Sequence, residues 1–474
     1  YNGDNFSNES VTIVSAMNDP NYPVVLKHKV GNGNVVLLNL GFTLQKTMRG
    51  LLFSTLLYGL EGIPYPVANV STIFLDDFPS PIYNIYKEPI KSEMNLTMAD
   101  YVKDVWWPDM KKLAKRHDIK YTAYLTFDYN NTTTPPFAFK EWDAARTLTQ
   151  KEGNQSSSAW ITKNIIGSGH ELGFHGYNHV SLLEQEWKNP VFISTALKSA
   201  LKKWSILDFQ DMPISYVPPS NYIDSVGMQR LVEAMPSLRF MQSTYLGHFE
   251  EGGNREFDPE PWNKHFFDYP RISSGFKIEP EKEWAIESMY IYTGIWTHFI
   301  HPDDIYQIPD GSNKETSADF EYRNKYGLNW YSANGKKGML DTFEDYLVDF
   351  KKNHPFTRFF NATQSSYITS NWRYGQFNHM YDNGIYEVES FAYENGTGPY
   401  YWFMYVDNEH IKDVDAIFLN KNIRNRKSPI LNGFLYTIET LAPNLFVKDF
   451  KKQLSVAKQS ALLNKVIQKR DTYY

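Results

Sequence analysis

Between residue 66 and about residue 350, short apolar runs alternate with longer segments whose apolar positions recur every three to four residues. That alternation is the pattern of an α/β fold built on a parallel sheet. The first run, 71–75, precedes a helical stretch over 99–117 in which Met110, Leu113 and Ala114 share a face. A second strand spans 120–127, where Tyr121, Ala123 and Leu125 alternate with Thr122, Tyr124 and Thr126. A helix over 159–166, closed by Gly167, leads to a third strand at 171–174. An amphipathic helix over 191–209, a strand at 215–217, a helix at 225–235 and a strand at 238–242 continue the series. Residues 275–278 lead towards an apolar run over 291–300, and a helix near 339–352 closes the unit.

The flanks read differently. Runs at 11–14 and 24–26 predict strands, and Gly31-Asn32-Gly33-Asn34 is a tight turn into a strand at 35–40. A helix over 44–60 carries Leu51, Leu52, Leu56, Leu57 and Leu60, and stops at Glu61-Gly62-Ile63-Pro64. These elements bury too little surface for a complete α/β domain. Residues 1–65 therefore read as a partial segment that either lacks an upstream half or packs on its neighbour. After about residue 375 the runs are short and aromatic or β-branched, at 386–391, 400–406, 416–419 and 434–438, with Asn/Gly turns between them. A terminal helix over 456–468 places Leu462, Leu463 and Ile467 on one face. The expected division is a partial α/β segment (1–65), a barrel (66–374) and a β-rich accessory domain (375–474).

Composition excludes more than it assigns. The 474 residues are 42% hydrophobic and 22% charged, ordinary for a globular chain. Aromatic content is high at 16%, which suits large cores and also platforms for sugar rings. A net charge of −6 offers nothing to draw nucleic acid or an anionic membrane. With no cysteine, disulfides, zinc–thiolate sites and a cysteine nucleophile are all excluded. No segment reaches transmembrane length. No signal peptide is visible, although the numbering starts at Tyr1 without a Met.

Candidate chemistry gathers at strand ends. The run 71–75 passes straight into Asp76-Asp77, and Gly169-His170-Glu171-Leu172-Gly173-Phe174-His175 is followed by His179. On a helical turn, an i,i+4 spacing sets two imidazoles on one face, close enough to share a metal. Two His and one Asp make a catalytic-type site with positions open for water and substrate. The carboxylates, the histidines and Pro218-Pro219 all fall where α/β barrels hold their active sites.

These motifs, in this order, resemble the polysaccharide deacetylase superfamily of carbohydrate esterases (the NodB-homology type), over roughly residues 70–305. The resemblance implies a distorted (β/α) barrel holding a divalent metal, commonly zinc. It implies Asp77, His175 and His179 as metal ligands, Asp76 as general base and His301 as general acid, with His298, three residues earlier, as the competing candidate. Tyr216, Pro219, Ser220 and Asn221 would line the substrate groove. Trp296, Trp262 and Tyr222 are candidate sugar platforms, with core packing as the other reading. Asp303-Asp304 reads as a helix start or a solvated turn, and His170 as structural. One departure stands out: the family's Arg before the Pro-Pro turn is replaced by Val217. Arg271 is the expected substitute, paired with Asp76. The layout implies a divergent extracellular, periplasmic or cell-surface enzyme that removes N-acetyl groups from an amino-sugar polysaccharide. O-deacetylation and glycan binding with weak catalysis are the rival readings.

Overall fold

In the computed structural model, which describes residues 8–31, 33–40, 45–147, 156–209, 211–309, 322–382, 384–391 and 399–448, the chain opens on a small antiparallel sheet. Its strands are β1 (Ser10–Ala16), β2 (Asp19–Val30) and β3 (Gly33–Leu38), in that order. The Arg49–Gly59 helix follows, with Leu57 and Tyr58 buried and Leu52, Leu56 and Leu60 exposed. This N-terminal segment packs on the helix Pro280–Thr293. At the crossing, a Cβ on Gly50 would lie 2.4 Å from Ser288 Cα, so only glycine permits the approach. The Gly50 N–H donates to Ser288 Oγ at 2.6 Å.

After the short β4 (Tyr65–Val67) comes the central sheet. It comprises β5 (Val70–Leu75), β6 (Thr122–Asp128), β7 (Glu171–Asn178), β8 (Ser215–Tyr216), β9 (Phe240–Met241), β10 (Phe267–Asp268), β11 (Ser273–Ser274) and β12 (Ile295–Ile300). All pair in parallel, in the order β10-β9-β8-β7-β6-β5-β12-β11. Every residue of β5, β6 and β12 is buried, as expected of parallel strands covered on both faces. One segment joins the two ends of this sheet. Residues 267–271 hydrogen-bond to 239–245, including Arg271 N–H to Ser243 O at 2.8 Å. The next residues switch partner, with Ile272 N–H to Thr297 O at 3.2 Å and Gly275 N–H to Phe299 O at 2.9 Å. The sheet is thereby curled into a distorted ring, with the C-terminal strand ends on one rim.

The apolar run 291–300 does not form one element. It is the last turn of the Pro280–Thr293 helix, then Gly294 at φ +67, then β12. A left-handed C-cap of this kind favours glycine.

The C-terminal part adds β13 (Arg358–Phe359), which pairs with β5, and the Ala362–Tyr374 helix. Strands β14 (Gln376–Asp382), β15 (Ile385–Phe391), β16 (Tyr400–Asp407), β17 (Arg424–Ile430), β18 (Gly433–Thr440) and β19 (Asn444–Lys448) form two sheets, β14-β15-β19 and β17-β18-β16-β4. The second sheet recruits β4 from before the ring, through antiparallel pairing with β16. Both faces of β16 are buried. Tyr401, Phe403 and Tyr405 join the main core, and Trp402, Met404 and Val406 join a second core with Val414 and Phe418. Each such large side chain contributes about 1.5–3 kcal/mol. The strand expected at 416–419 is instead part of the Ile411–Asn420 helix, which buries Val414 and Phe418 one turn apart. Four apolar residues are too few for periodicity to separate strand from helix. The helix expected over 456–468 lies outside the described residues.

Candidate metal centre and active site

Strand β5 carries two adjacent carboxylates to the rim. On a continuing strand Asp76 and Asp77 would face opposite ways. Asp77 instead adopts φ +51, a left-handed conformation that Asp reaches at less cost than most residues. Both carboxylates therefore turn into one site. Asp76 is held in register by its N–H, which donates to Ile300 O on β12 at 3.0 Å.

The histidine pair reaches the same site by another route than the expected helical turn. His175 lies on β7, which runs on to Asn178, and His179 follows directly. Residues four apart on an extended strand would be separated by roughly 13 Å, yet the two rings lie 5.1 Å apart. A register shift against β6 contracts the strand, as does Gly176 at φ +123. A turn then folds the chain back, with Val180 N–H donating to Asn178 O at 2.7 Å. A Cβ at position 176 would stand 3.0 Å from Pro219 Cγ. The Pro-Pro turn and the kink between the histidines thus depend on the same glycine.

The donor atoms converge. His175 Nε2 is 3.4 Å from Asp77 Oδ1, and His179 Nε2 is 3.5 Å from Asp77 Oδ2. Three ligand atoms of Asp77, His175 and His179 all lie within 4.8 Å of one another. His175 Nδ1 sits 2.8 Å from Val217 O. A carbonyl only accepts, so Nδ1 carries the proton and Nε2 presents a lone pair. Burial pulls the His175 pKa down to about 4, so the ring is neutral near pH 7. Burial alone would raise the Asp77 carboxyl, but His179, His175, His301 and Arg323 together hold it below its ordinary value. Two electron-rich atoms therefore face each other across 3.4 Å. Asp77 Oδ1 is buried without a hydrogen-bond partner among the described residues. A divalent cation between the three groups resolves both conflicts, and two imidazoles with one carboxylate suit zinc and its neighbours. The residues present fit a metal.

Around this cluster stand a carboxylate and an imidazole. Arg271, on the segment that closes the ring, donates from Nη1 to Asp76 Oδ2. Its guanidinium lies 4.3 Å over the Phe299 ring. Position 217 offers its backbone carbonyl to His175 rather than a charged side chain to Asp76. Asp76 Oδ1 has no hydrogen-bond partner among the described residues. His301, just past β12, places Nε2 4.0 Å from Asp76 Oδ2 and Nδ1 3.2 Å from Asp304 Oδ1. Arg323 Nη1 also donates to Asp304 Oδ1, at 3.1 Å. Burial and Arg323 depress the His301 imidazole, but Asp304 and Asp76 outweigh them and raise its pKa above the ordinary value. His298 points elsewhere: its nitrogens contact Ser273 Oγ at 2.9 Å and Gly275 O at 2.8 Å, and its ring stacks on Phe343. Burial pushes it down to about 3. Of the two candidates, His301 is the one at the rim.

Three readings need correction. Asp304 does start a short helix, Asp304–Tyr306, but it is not in a solvated turn; it is fully buried and bonded to His301 and Arg323. Trp296 is not a sugar platform. It is fully buried, donates to Ser273 Oγ at 3.0 Å and packs 4.4 Å from Phe350. Tyr216 is likewise fully buried, so it does not line a groove. Pro219 is buried beside Gly176, whereas Ser220 and Asn221, at φ 53 and 67, open onto a groove of about 1000 Å³ that includes Arg271 and Phe299. A smaller cavity of about 180 Å³ touches Asp77 and is lined by Ile82, Tyr83, Met98, Tyr129 and Tyr306. Arg323 and Tyr129, whose ring lies 5.9 Å from that of His179, were not anticipated. Neither carries a local motif.

A family model described as an uncharacterised protein conserved in bacteria (DUF2194) matches residues 4–423. The chain belongs to the DUF2194 family. No curated protein matches this DUF2194 chain. Among solved structures it is similar to an inferred polysaccharide deacetylase from Mycobacterium smegmatis, at 12% identity and a TM-score of 0.37, over 65% of this chain and 93% of that one. It is also similar to a CE4 family pseudoenzyme from Bacillus anthracis, at 11% identity and a TM-score of 0.31, over 64% of this chain and 66% of that one. A CE4 domain of a multidomain xylanase, from the hindgut metagenome of Trinervitermes trinervoides, has 10% identity and a TM-score of 0.22, over 62% and 88%.

Proposed function

We propose that this chain is a metal-dependent hydrolase that removes N-acetyl groups from an amino-sugar polysaccharide. The observation that carries the reading is the convergence of Asp77, His175 and His179 on one point, with a lone pair of His175 facing an Asp77 oxygen that has no hydrogen-bond partner among the described residues. A divalent metal, zinc by preference, held there would make a water acidic and polarise an amide carbonyl. Asp76 acts as the base. Arg271 occupies its Oδ2, which leaves Oδ1 to take the water's proton. His301 acts as the acid. Asp304 Oδ1 and Arg323 Nη1 both lie against Nδ1, at 3.2 and 3.1 Å, so Nε2 is the nitrogen left to pass a proton to the leaving nitrogen. Water oxygen bonds to the carbonyl carbon, the carbon–nitrogen bond breaks, and acetate and a free amine result. Ser220 and Asn221 contact the sugar beside the reacting group. Residues 1–65 and 375–474 flank the catalytic barrel, and the enzyme works on polymer outside the cytoplasm.

The test is acetate release from N-acetylated and O-acetylated oligosaccharides before chelation, after chelation, and after return of zinc. Zinc-restored release from N-acetyl substrates supports the reading. Release from O-acetyl esters alone replaces it with the esterase. No release and no bound metal would sink both.

A further inference from the structure

We infer that the groove beside Arg271 is a track for several sugar units of a neutral glycan, with Trp284 as its stacking platform and residues 45–48 as its far wall. The inference rests on the deacetylase reading for its catalytic end and adds where the polymer lies. The groove of about 1000 Å³ runs from Arg271 and Phe299 to Trp284 and the segment Gln45, Thr47 and Met48. That size is at the top of the range of about 300–1,000 Å³ that encloses a drug-sized ligand. Trp284 is 48% exposed and Tyr222 39% exposed, both in this groove. An indole presents a flat apolar face and a polar N–H, which suits a sugar ring with one apolar face and a hydroxyl edge.

The charges favour a neutral ligand. Arg271 is bonded to Asp76, Lys282 lies 3.3 Å from Ser274 O, and Glu281 lines the groove as well as Lys282, so neither sign of charge dominates. The far wall is fixed at both ends. Lys46 Nζ donates to Tyr245 O at 2.7 Å and to Arg255 O at 2.5 Å, and Arg49 pairs with Glu256 at 2.8 Å. Gly50 locks onto Ser288, one helical turn from Trp284. Thr47 is therefore held between two groove-lining elements, and the N-terminal segment becomes part of the substrate site.

Calorimetric titration of the full chain with N-acetylglucosamine and N-acetylgalactosamine oligomers, monomer to hexamer, decides the matter alongside acetate release. Affinity is expected to grow with length. Trp284→Ala should weaken hexamer binding about tenfold, close to 1.4 kcal/mol, and Thr47→Arg by a similar factor, while Trp284→Phe restores most of the loss. Unchanged melting temperatures show that the variants fold. Affinity independent of length, or both losses within twofold of the wild type, overturns the track even if acetate is released. Length-dependent, Trp284-dependent binding without acetate release upholds the track and overturns the deacetylase reading instead.

Discussion

Strand β12 carries one histidine inside the ring and another at its rim. His298 has both nitrogens occupied by Ser273 and Gly275, lies on Phe343, and is pushed by burial down to about 3. His301, three residues on, is also buried, yet Asp304 and Asp76 raise its pKa. Burial is shared; the partners differ. A ring whose nitrogens are both spent on the scaffold cannot exchange a proton, whereas one with a carboxylate behind it and a free Nε2 in front can. The strand end, where the chain leaves the sheet, is where such freedom arises.

The largest effect that would break this division between interior and rim is expected from Asp77→Asn. Loss of an anionic ligand should abolish stoichiometric metal binding and cut acetate release by about a thousandfold or more, the several kcal/mol that a metal supplies. Full activity in that variant would remove the metal centre. Next comes Arg271→Ala, which strands Asp76 as a buried carboxylate without its cation. A broken buried pair costs about 3–5 kcal/mol, read as a fall in the denaturation midpoint together with lost turnover. His301→Gln should lower kcat by about 10²–10⁴-fold with little change in melting temperature. His298→Gln should do the reverse, losing about 1–3 kcal/mol of stability through its orphaned partners while activity per folded molecule holds. Swapped outcomes for these two variants would reverse the assignment.

The smallest effect concerns a carboxyl at another strand end. Asp128, closing β6, is buried beside Glu141, and burial with that neighbour raises its pKa to about 7. A carboxyl whose folded value exceeds its unfolded one lends full stability below the unfolded pKa, near 4, and loses it as pH climbs towards 7. Urea denaturation at successive pH values should show stability falling over that window, and Asp128→Asn should flatten the curve. A curve that keeps its slope in the variant would remove Asp128 as the cause.

Much of the site was legible because it sits where local patterns end. Asp76-Asp77 after an apolar run, the paired histidines after a Gly-rich approach, and His301 after β12 are all marked by the passage from strand to polar residues. What escaped depends on partners distant in sequence or on backbone angles. The left-handed turn at Asp77 and the contraction at Gly176 are backbone events that hydrophobic pattern does not register. Asp304 reads as a solvated acid until Arg323 arrives from nineteen positions away. The closing segment 267–275 changes hydrogen-bond partner between Arg271 and Ile272, so neither half is long enough to signal a strand. Trp296 reads equally as platform or as core, because an aromatic on a strand looks the same from either face. Trp284, on a helix, is the exposed one.

The proposed chemistry requires one ion between Asp77, His175 and His179. Anomalous diffraction at the zinc edge, from crystals of the full chain grown with zinc, measures this. A single peak about 2.0–2.2 Å from one Nε2 of each histidine and from an Asp77 oxygen is the predicted result. A saturated crystal with no peak there, or a peak bound by other residues, would contradict it.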